Sequence, residues 1–371
     1  MVMDQQQLEL SIIGRPVSEV ETPALVIDAD LLERNLRRMA DFFRDKPARL
    51  RPHTKTHKSP IIARMQLDLG AIGFTCAKVG EAEVMVNAGL SSILIANQVV
   101  GTGKALRLAR LATRAEVMTA VDAPVHVTEL SEAATVAGAT IGLVIEVDVG
   151  MSRSGTRSVS ESIRLAQAIE KAPHLQLKGL MGYEGHAVFK TERAERARLA
   201  EAANSILVEH ADALRGKGFS TEIISAGGTG TYDLAGVHPG ITEIQAGSYA
   251  TMDGRYQGVV PEFENALTLL TSVVSRPSPE RAVLDCGLKS VTPEFGMPLV
   301  RDVPDAVVLG LSEEHAKVTL GPGAHPLAIG DKLHLIPAHG CTTINLHDYY
   351  YISRKGIVEA VWPVAARGLV R

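Results

Sequence analysis

The chain has 371 residues, with 38 lysines and arginines against 42 aspartates and glutamates and a net charge of −4. That mildly acidic balance offers no electrostatic attraction to nucleic acid or to an anionic membrane, so neither is expected as a partner. No run of about 18 apolar residues could span a bilayer, no N-terminal stretch has the order of an export signal, and three scattered cysteines, Cys76, Cys286 and Cys341, make no disulfide framework. A cytoplasmic protein is expected, long enough for one large domain and a smaller one.

In chain order, Leu8-Glu9-Leu10-Ser11-Ile12 alternates and predicts an edge strand with a distant partner. From Pro23 a regular beat begins. Ala24–Asp28 reads as a strand, and Leu31 to Phe43 as a helix with apolar residues three and four apart. Arg51-Pro52-His53-Thr54-Lys55-Thr56-His57-Lys58 follows; read as extended, it puts Arg51, His53, Lys55 and His57 on one face. Further strands at 71–77, 92–97, 116–122, 141–148, 178–183, 221–225 and 242–245 alternate with helices. Counted from the basic stretch, these are eight strands. Eight such units predict an α/β fold built as a (β/α)8 TIM-type barrel over residues 21–255, with a doubly wound open sheet as the competing arrangement. After residue 255 the beat stops. Strands at 267–274, 282–285, 332–336 and 349–352 predict a C-terminal antiparallel β domain over 256–371, with residues 1–20 open to joining it.

Lys55 stands where the first barrel strand should end, which is where barrel enzymes keep their reacting groups. Its parity turns it inward with His53. Neighbouring cations would lower its pKa and favour the neutral amine that forms a Schiff base with an aldehyde. Lys58 has the opposite parity and falls past the strand end; a buried structural lysine is the plainer alternative. Directly after the seventh strand, Ser225-Ala226-Gly227-Gly228-Thr229-Gly230-Thr231 offers backbone N–H groups to a phosphate. A second small-residue turn, Gln245-Ala246-Gly247-Ser248-Tyr249, ends the eighth strand. Arg153, between small residues, is either an inward guanidinium or a surface arginine. Tyr183, Glu184 and His186 close the sixth strand with a ring, a carboxylate and an imidazole. In the β domain His339-Gly340-Cys341 puts two ligand-type side chains at a spacing that can share one metal ion, zinc or cobalt before magnesium. Cys341 as a plain core residue is the alternative.

With these residues the chain resembles the D-threonine aldolase family of pyridoxal-phosphate enzymes. That family shares the alanine racemase-like barrel, fold type III, with the eukaryotic-type D-serine dehydratases. The resemblance runs nearly end to end, through Glu21–Asp28, Arg51–Lys58, Glu146–Gly150 with Arg153, Gly227–Gly230, Ala246–Tyr249 and Leu284–Ser290. It implies that Lys55 carries pyridoxal 5'-phosphate covalently, that Gly228, Thr229 and Tyr249 hold its phosphate, that Arg153 meets its phenolic oxygen, and that Tyr183 lies against its ring. His339 and Cys341 would bind a divalent metal (Zn, Mn, Co or Mg). Family aldolases often carry His and Asp at that pair, and the dehydratases His and Cys. Glu184 stands where the aldolases are expected to carry His, so the proton carrier stays open, with His53 or His57 as candidates. A homodimer whose β domain completes the partner's barrel site is implied too.

The expected function is cleavage of a small D-3-hydroxy amino acid, D-threonine-like, to glycine and an aldehyde by retro-aldol scission. A D-serine or D-3-hydroxyaspartate dehydratase is the alternative. An amino-acid racemase or a non-catalytic cofactor carrier is more remote, because each leaves the metal pair without a task.

Overall fold

The computed structural model describes residues 9–323 and 327–371. In chain order the first elements are β1 (Ala24–Asp28), α1 (Ala29–Phe43), β2 (Arg49–Leu50), α2 (Pro60–Asp68), β3 (Phe74–Cys76), α3 (Val79–Asn87), β4 (Ile93–Gln98), α4 (Thr102–Leu111) and β5 (Val117–Val121). There follow α5 (Pro124–Ala137), β6 (Ile141–Glu146), α6 (Val159–Lys171), β7 (Leu175–Met181), α7 (Arg193–Arg215), β8 (Ile223–Ala226), α8 (Tyr232–Ala235), β9 (Glu243–Ile244) and α9 (Gly254–Gln257). The remainder is β10 (Leu267–Ser278), β11 (Arg281–Leu284), β12 (Leu299–Val300), β13 (Ala306–Leu311), β14 (Ala316–Leu320), β15 (Lys332–Ile336), α10 (Gly340–Ile344), β16 (Tyr349–Arg354) and β17 (Ile357–Pro363). The chain divides into two units. One holds Met1–Arg37, Thr56–Ser59 and Ser248–Gly368; the other holds Arg38–Lys55, Pro60–Gly247 and Leu369–Arg371.

The second unit is the barrel, with eight strands: seven fall on the expected segments, whereas the first, β2, is Arg49–Leu50, ahead of the basic stretch expected to form it. They pair in parallel in the order β2-β9-β8-β7-β6-β5-β4-β3. The ring closes just beyond β2, where Ile72 N donates to Leu50 O at 2.9 Å, Thr75 N donates to Pro52 O at 2.9 Å, and His53 bridges Thr75. Central strands are apolar on both faces, as helix-covered parallel strands must be; β5 and β6 are buried throughout. Leu94, Met118, Ala120, Val144 and Met181 pack together inside. The crossover helices carry their own boundaries. In α6 the Ser158 hydroxyl accepts Glu161 N while Glu161 takes Arg157 N, and α5 starts at Pro124 and stops at Gly138 in the left-handed region.

The first unit is a nine-stranded sheet in the order β11-β14-β13-β12-β15-β10-β1-β16-β17. Segment 21–37, grouped above with the barrel, gives its strand to this sheet: β1 pairs antiparallel with β10 and parallel with β16. The barrel has its eight strands without it, and Leu25 and Ile27, fully buried, fill the sheet's centre instead. Residues 14–17 hydrogen-bond to 356–358, and Val17 and Val20 join a core with Val26, Leu270, Tyr351 and Val358.

The sheet departs from the sequence reading in two further ways. Glu9 and Leu10 are helical and Ser11–Gly14 form a turn, so no edge strand forms there; Leu8 lies outside the described residues. Backbone pairing starts only at Gly14, which donates to Val358 O. Strands β12, β13, β14 and β17 were not anticipated.

Candidate active site

The basic stretch is not the extended row that alternation suggested. β2 ends at Leu50, the chain stays extended to His53, and Thr54–His57 form a turn. Thr54 drives the turn from the inside: its N–H bonds Thr75 O at 2.8 Å and its buried hydroxyl donates to Glu81 Oε1 at 2.6 Å. The common face of cations therefore dissolves. Arg51 is buried in a pair with Glu243, Nε to Oε2 2.9 Å, and its Nη1 reaches Ser92 O at 2.7 Å. Lys58 is buried with Nζ on Ala366 O at 3.3 Å. Lys55 is the one exposed residue between Arg51 and Ser59. The preference for Lys55 over Lys58 now rests on accessibility and partner, since parity does not apply in a turn.

In the barrel unit Lys55 meets Tyr183. Its ammonium lies 5.8 Å from the ring centroid, and the Arg153 guanidinium lies 5.9 Å from the same centroid. Two cations thus share one aromatic ring beyond the ends of β2, β6 and β7. Arg153 is held from below by Glu146, whose Oε1 is 3.6 Å from Nη2 and accepts the Ser154 hydroxyl at 2.9 Å. Glu146 Oε2 takes Gln98 Nε2 at 2.5 Å. Sequence reasoning had Glu146 in a motif without a task; a carboxylate at the C-terminal end of a barrel strand was the available signal. His53 is buried beside this cluster, with its Nδ1 facing Lys55 N at 3.4 Å. His57 belongs to the other unit, where Tyr350 O–H donates to its carbonyl at 2.7 Å.

The glycine loop packs on the same tyrosine. A Cβ on Gly228 would stand 3.2 Å from Tyr183 Cε2, and one on Gly230 would stand 1.9 Å from Val188 O. Ser225 is fully buried and accepts Gln245 Nε2 at 2.8 Å; Thr229 is buried too. Glu184 lies beneath the loop with no exposure. Its Oε1 accepts the Thr231 hydroxyl at 2.5 Å, its Oε2 accepts Gly227 N–H at 3.2 Å, and Thr231 Oγ1 in turn accepts Gly228 N–H at 3.2 Å. Burial raises its carboxyl above the ordinary range, against the lowering by Thr231 and Gly227. Glu184 is thus a loop anchor by geometry. His186 packs against Gly150, and its Nδ1 is buried without a hydrogen-bond partner among the described residues.

In the sheet unit, Tyr249 is buried against Phe263, centroids 5.8 Å apart. His339 caps α10 and Cys341 lies in its first turn. His339 Nδ1 is 2.9 Å from Asp253 Oδ2, and Cys341 Sγ is 3.3 Å from Thr56 Oγ1. Burial works against charge on His339, but Cys341 and Asp253 outweigh it and push the imidazole up to about 10. Among the described residues no group of three or more His, Cys, Asp or Glu is set to hold a metal ion. His339 and Cys341 are thus two ligand-type groups, one fewer than the three protein ligands of the usual catalytic zinc site. Cys286, by contrast, is buried and its thiol is pushed up to about 11, the behaviour of a core residue.

Residues 27–254 match the family of the alanine racemase N-terminal domain, and residues 266–353 match a putative serine dehydratase domain. A D-threonine aldolase of Arthrobacter sp is 40% identical over 363 residues, 96% of this chain and 96% of that one. A 3-hydroxy-D-aspartate aldolase of Paracoccus denitrificans (strain Pd 1222) is 38% identical over 366 residues, 96% and 94% of the two chains. The crystal structure of a D-threonine aldolase from Filomicrobium marinum superposes with a TM-score of 0.95 at 39% identity, covering 97% of this chain and 99% of that one. With barrel, sheet unit and end-to-end identity in agreement, the chain belongs to the D-threonine aldolase family of alanine racemase-like barrel enzymes.

Proposed function

We propose that this protein is a carbon–carbon lyase that cleaves a D-3-hydroxy amino acid to glycine and an aldehyde. The observation that carries the reading is the pair of cations, Lys55 and Arg153, over one face-forming tyrosine beside a buried glycine loop. That set fits pyridoxal 5'-phosphate: the Lys55 amine would hold its aldehyde carbon, Arg153 its phenolic oxygen, Tyr183 its ring, and Ser225, Gly227, Gly228 and Thr229 its phosphate; the family resemblance alone adds Tyr249 of the other unit to the phosphate's partners. The bound cofactor supplies an electron sink for the bonds around the substrate's α-carbon. Glu146 keeps Arg153 aimed and Glu184 keeps the loop closed. His53, whose Nδ1 accepts the Lys55 amide N–H at 3.4 Å, is the imidazole beside Lys55 proposed to carry a proton. His339 and Cys341 would hold a divalent ion; such an ion supplies Lewis acidity to the substrate's β-hydroxyl.

Purified protein is expected to show the visible absorption of lysine-bound cofactor, and Lys55→Ala to lose it; a retained band overturns the assignment. D-threonine with a divalent ion should yield glycine and acetaldehyde, and a chelator should stop the reaction reversibly. The second reading, a dehydratase, is favoured by the serine dehydratase match over 266–353 and by the thiol at Cys341. It predicts 2-oxobutanoate and ammonia from the same incubation.

The protein is further proposed to act as a homodimer. Support comes from apolar side chains exposed on the sheet unit, among them Phe295, Met297, Leu299, Val307 and Leu309, at 39% to 59% exposure. Light scattering on the eluted protein tests this. Among the described residues no helix is long and apolar enough to cross a membrane. A cytoplasmic location is proposed on the three free cysteines.

A further inference from the structure

We infer that Asp253 is a positioning residue for His339, holding Nδ1–H so that Nε2 is the nitrogen that would bind a metal ion; this rests on the reading of His339 and Cys341 as the metal pair. Asp253 is 1% exposed and both its oxygens are engaged. Oδ1 accepts Tyr256 N–H at 2.9 Å and so caps α9. Oδ2 accepts His339 Nδ1–H at 2.9 Å and Gly340 N–H at 3.1 Å.

The two segments are also zipped along their backbones, by Gly254 N to Pro337 O at 2.9 Å and Arg255 N to Ala338 O at 3.0 Å. The Phe295 ring also meets the His339 imidazole in a T-shaped contact, centroids 5.2 Å apart at 74°. The imidazole is therefore fixed in tautomer by one neighbour and in tilt by another. A cap needs only one acceptor oxygen, and serine or threonine would provide it. The second oxygen, spent on His339 and Gly340, has no part in capping. A carboxylate on the remote nitrogen of a ligating histidine sets the ring's orientation and basicity, and losing one lowers metal affinity about 10- to 100-fold.

The test is metal binding by the purified full-length protein, stripped with chelator and titrated with Co²⁺ by visible absorption and with Zn²⁺ by calorimetry. Asp253→Ser keeps an acceptor for Tyr256 N–H and withdraws the oxygen from His339; Asp253→Asn keeps the side chain's shape. Both are expected to bind about 10- to 100-fold more weakly than wild type, with far-ultraviolet circular dichroism and the absorption of the barrel's cofactor unchanged. His339→Ala is expected to bind no Co²⁺. Wild-type affinity in both Asp253 variants, with binding lost in His339→Ala, overturns the positioning role and leaves the metal pair standing. Co²⁺ binding that survives His339→Ala overturns the metal pair and this inference with it.

Discussion

Glu184 shows how the task of a single side chain is set by the partners that folding brings to it. In sequence it stands beside Tyr183 and His186 as one of three polar groups at a strand end; in the fold it is fully buried with two acceptor tasks, Thr231 O–H and Gly227 N–H. Glu184→Ala leaves both donors buried and unpaired, a cost of about 2–4 kcal/mol, and should weaken cofactor binding as the loop loosens. Glu184→Gln can keep its oxygen on Gly227 and turn its amide to Thr231, so a loss of only about 1 kcal/mol is expected. Urea unfolding and cofactor titration of the two variants separate these outcomes. Arg51 is a second case: Arg51→Ala strands a Glu243 carboxylate that is 2% exposed, and should cost about 3–5 kcal/mol in the same unfolding experiment. Lys55, Tyr183 and Arg153 could be singled out as candidates because reactive residue types at strand ends are uncommon, and the fold brings these three together. Glu146, Thr231 and Asp253 could not be singled out, because a positioning carboxylate or hydroxyl is recognisable only by the partner that folding brings to it.

The glycine loop after β8 makes its predictions as an element. A Cβ at position 230 would stand 1.9 Å from the Val188 carbonyl, a backbone atom that cannot rotate away. Gly230→Ala should therefore destabilise the fold by about 2–3 kcal/mol, read as a lowered melting temperature. At Gly228 the obstacle is the Tyr183 ring at 3.2 Å, which can yield by a few tenths of an ångström. Gly228→Ala should leave the melting temperature nearly unchanged while shifting the cofactor's absorption and raising its dissociation constant. The barrel strands could be read from sequence because strands buried on both faces are continuous apolar runs, as in Ile141–Glu146. Strands β12 to β14 could not. Val307 and Leu309 are apolar yet exposed, Gly310 sits at a register irregularity, and β12 is two residues long, so neither period nor length marked them. The basic stretch failed for a third reason: a hydroxyl, Thr54, bends a chain that alternation alone would keep straight.

For the molecule as a whole, acid is the condition that tests the sheet unit. His334 in β15, with Nδ1 2.9 Å from Thr268 Oγ1, is held down to about 4 by burial and by Arg301, against the opposing Asp302. Unfolded, it would titrate near 6.5, so between these values the unfolded chain binds more protons. Its contribution is complete above pH 6.5 and is lost as pH falls to about 4. Urea midpoints should drop over that interval, and His334→Gln should flatten the drop. The placement of β1 has a consequence in time. Leu25, near the beginning of the chain, is a neighbour of Leu269 and of Tyr350 in the finished sheet. At about 5–20 residues per second, the ribosome delivers Tyr350 roughly 15–65 s after Leu25. The barrel strands, all encoded between them, can pair while β1 waits with its apolar edge open. Nascent chains arrested after residue 260 should accordingly protect the barrel from protease while residues 24–28 remain cleavable or chaperone-bound, and the sheet unit should gain protection only once β16 has emerged.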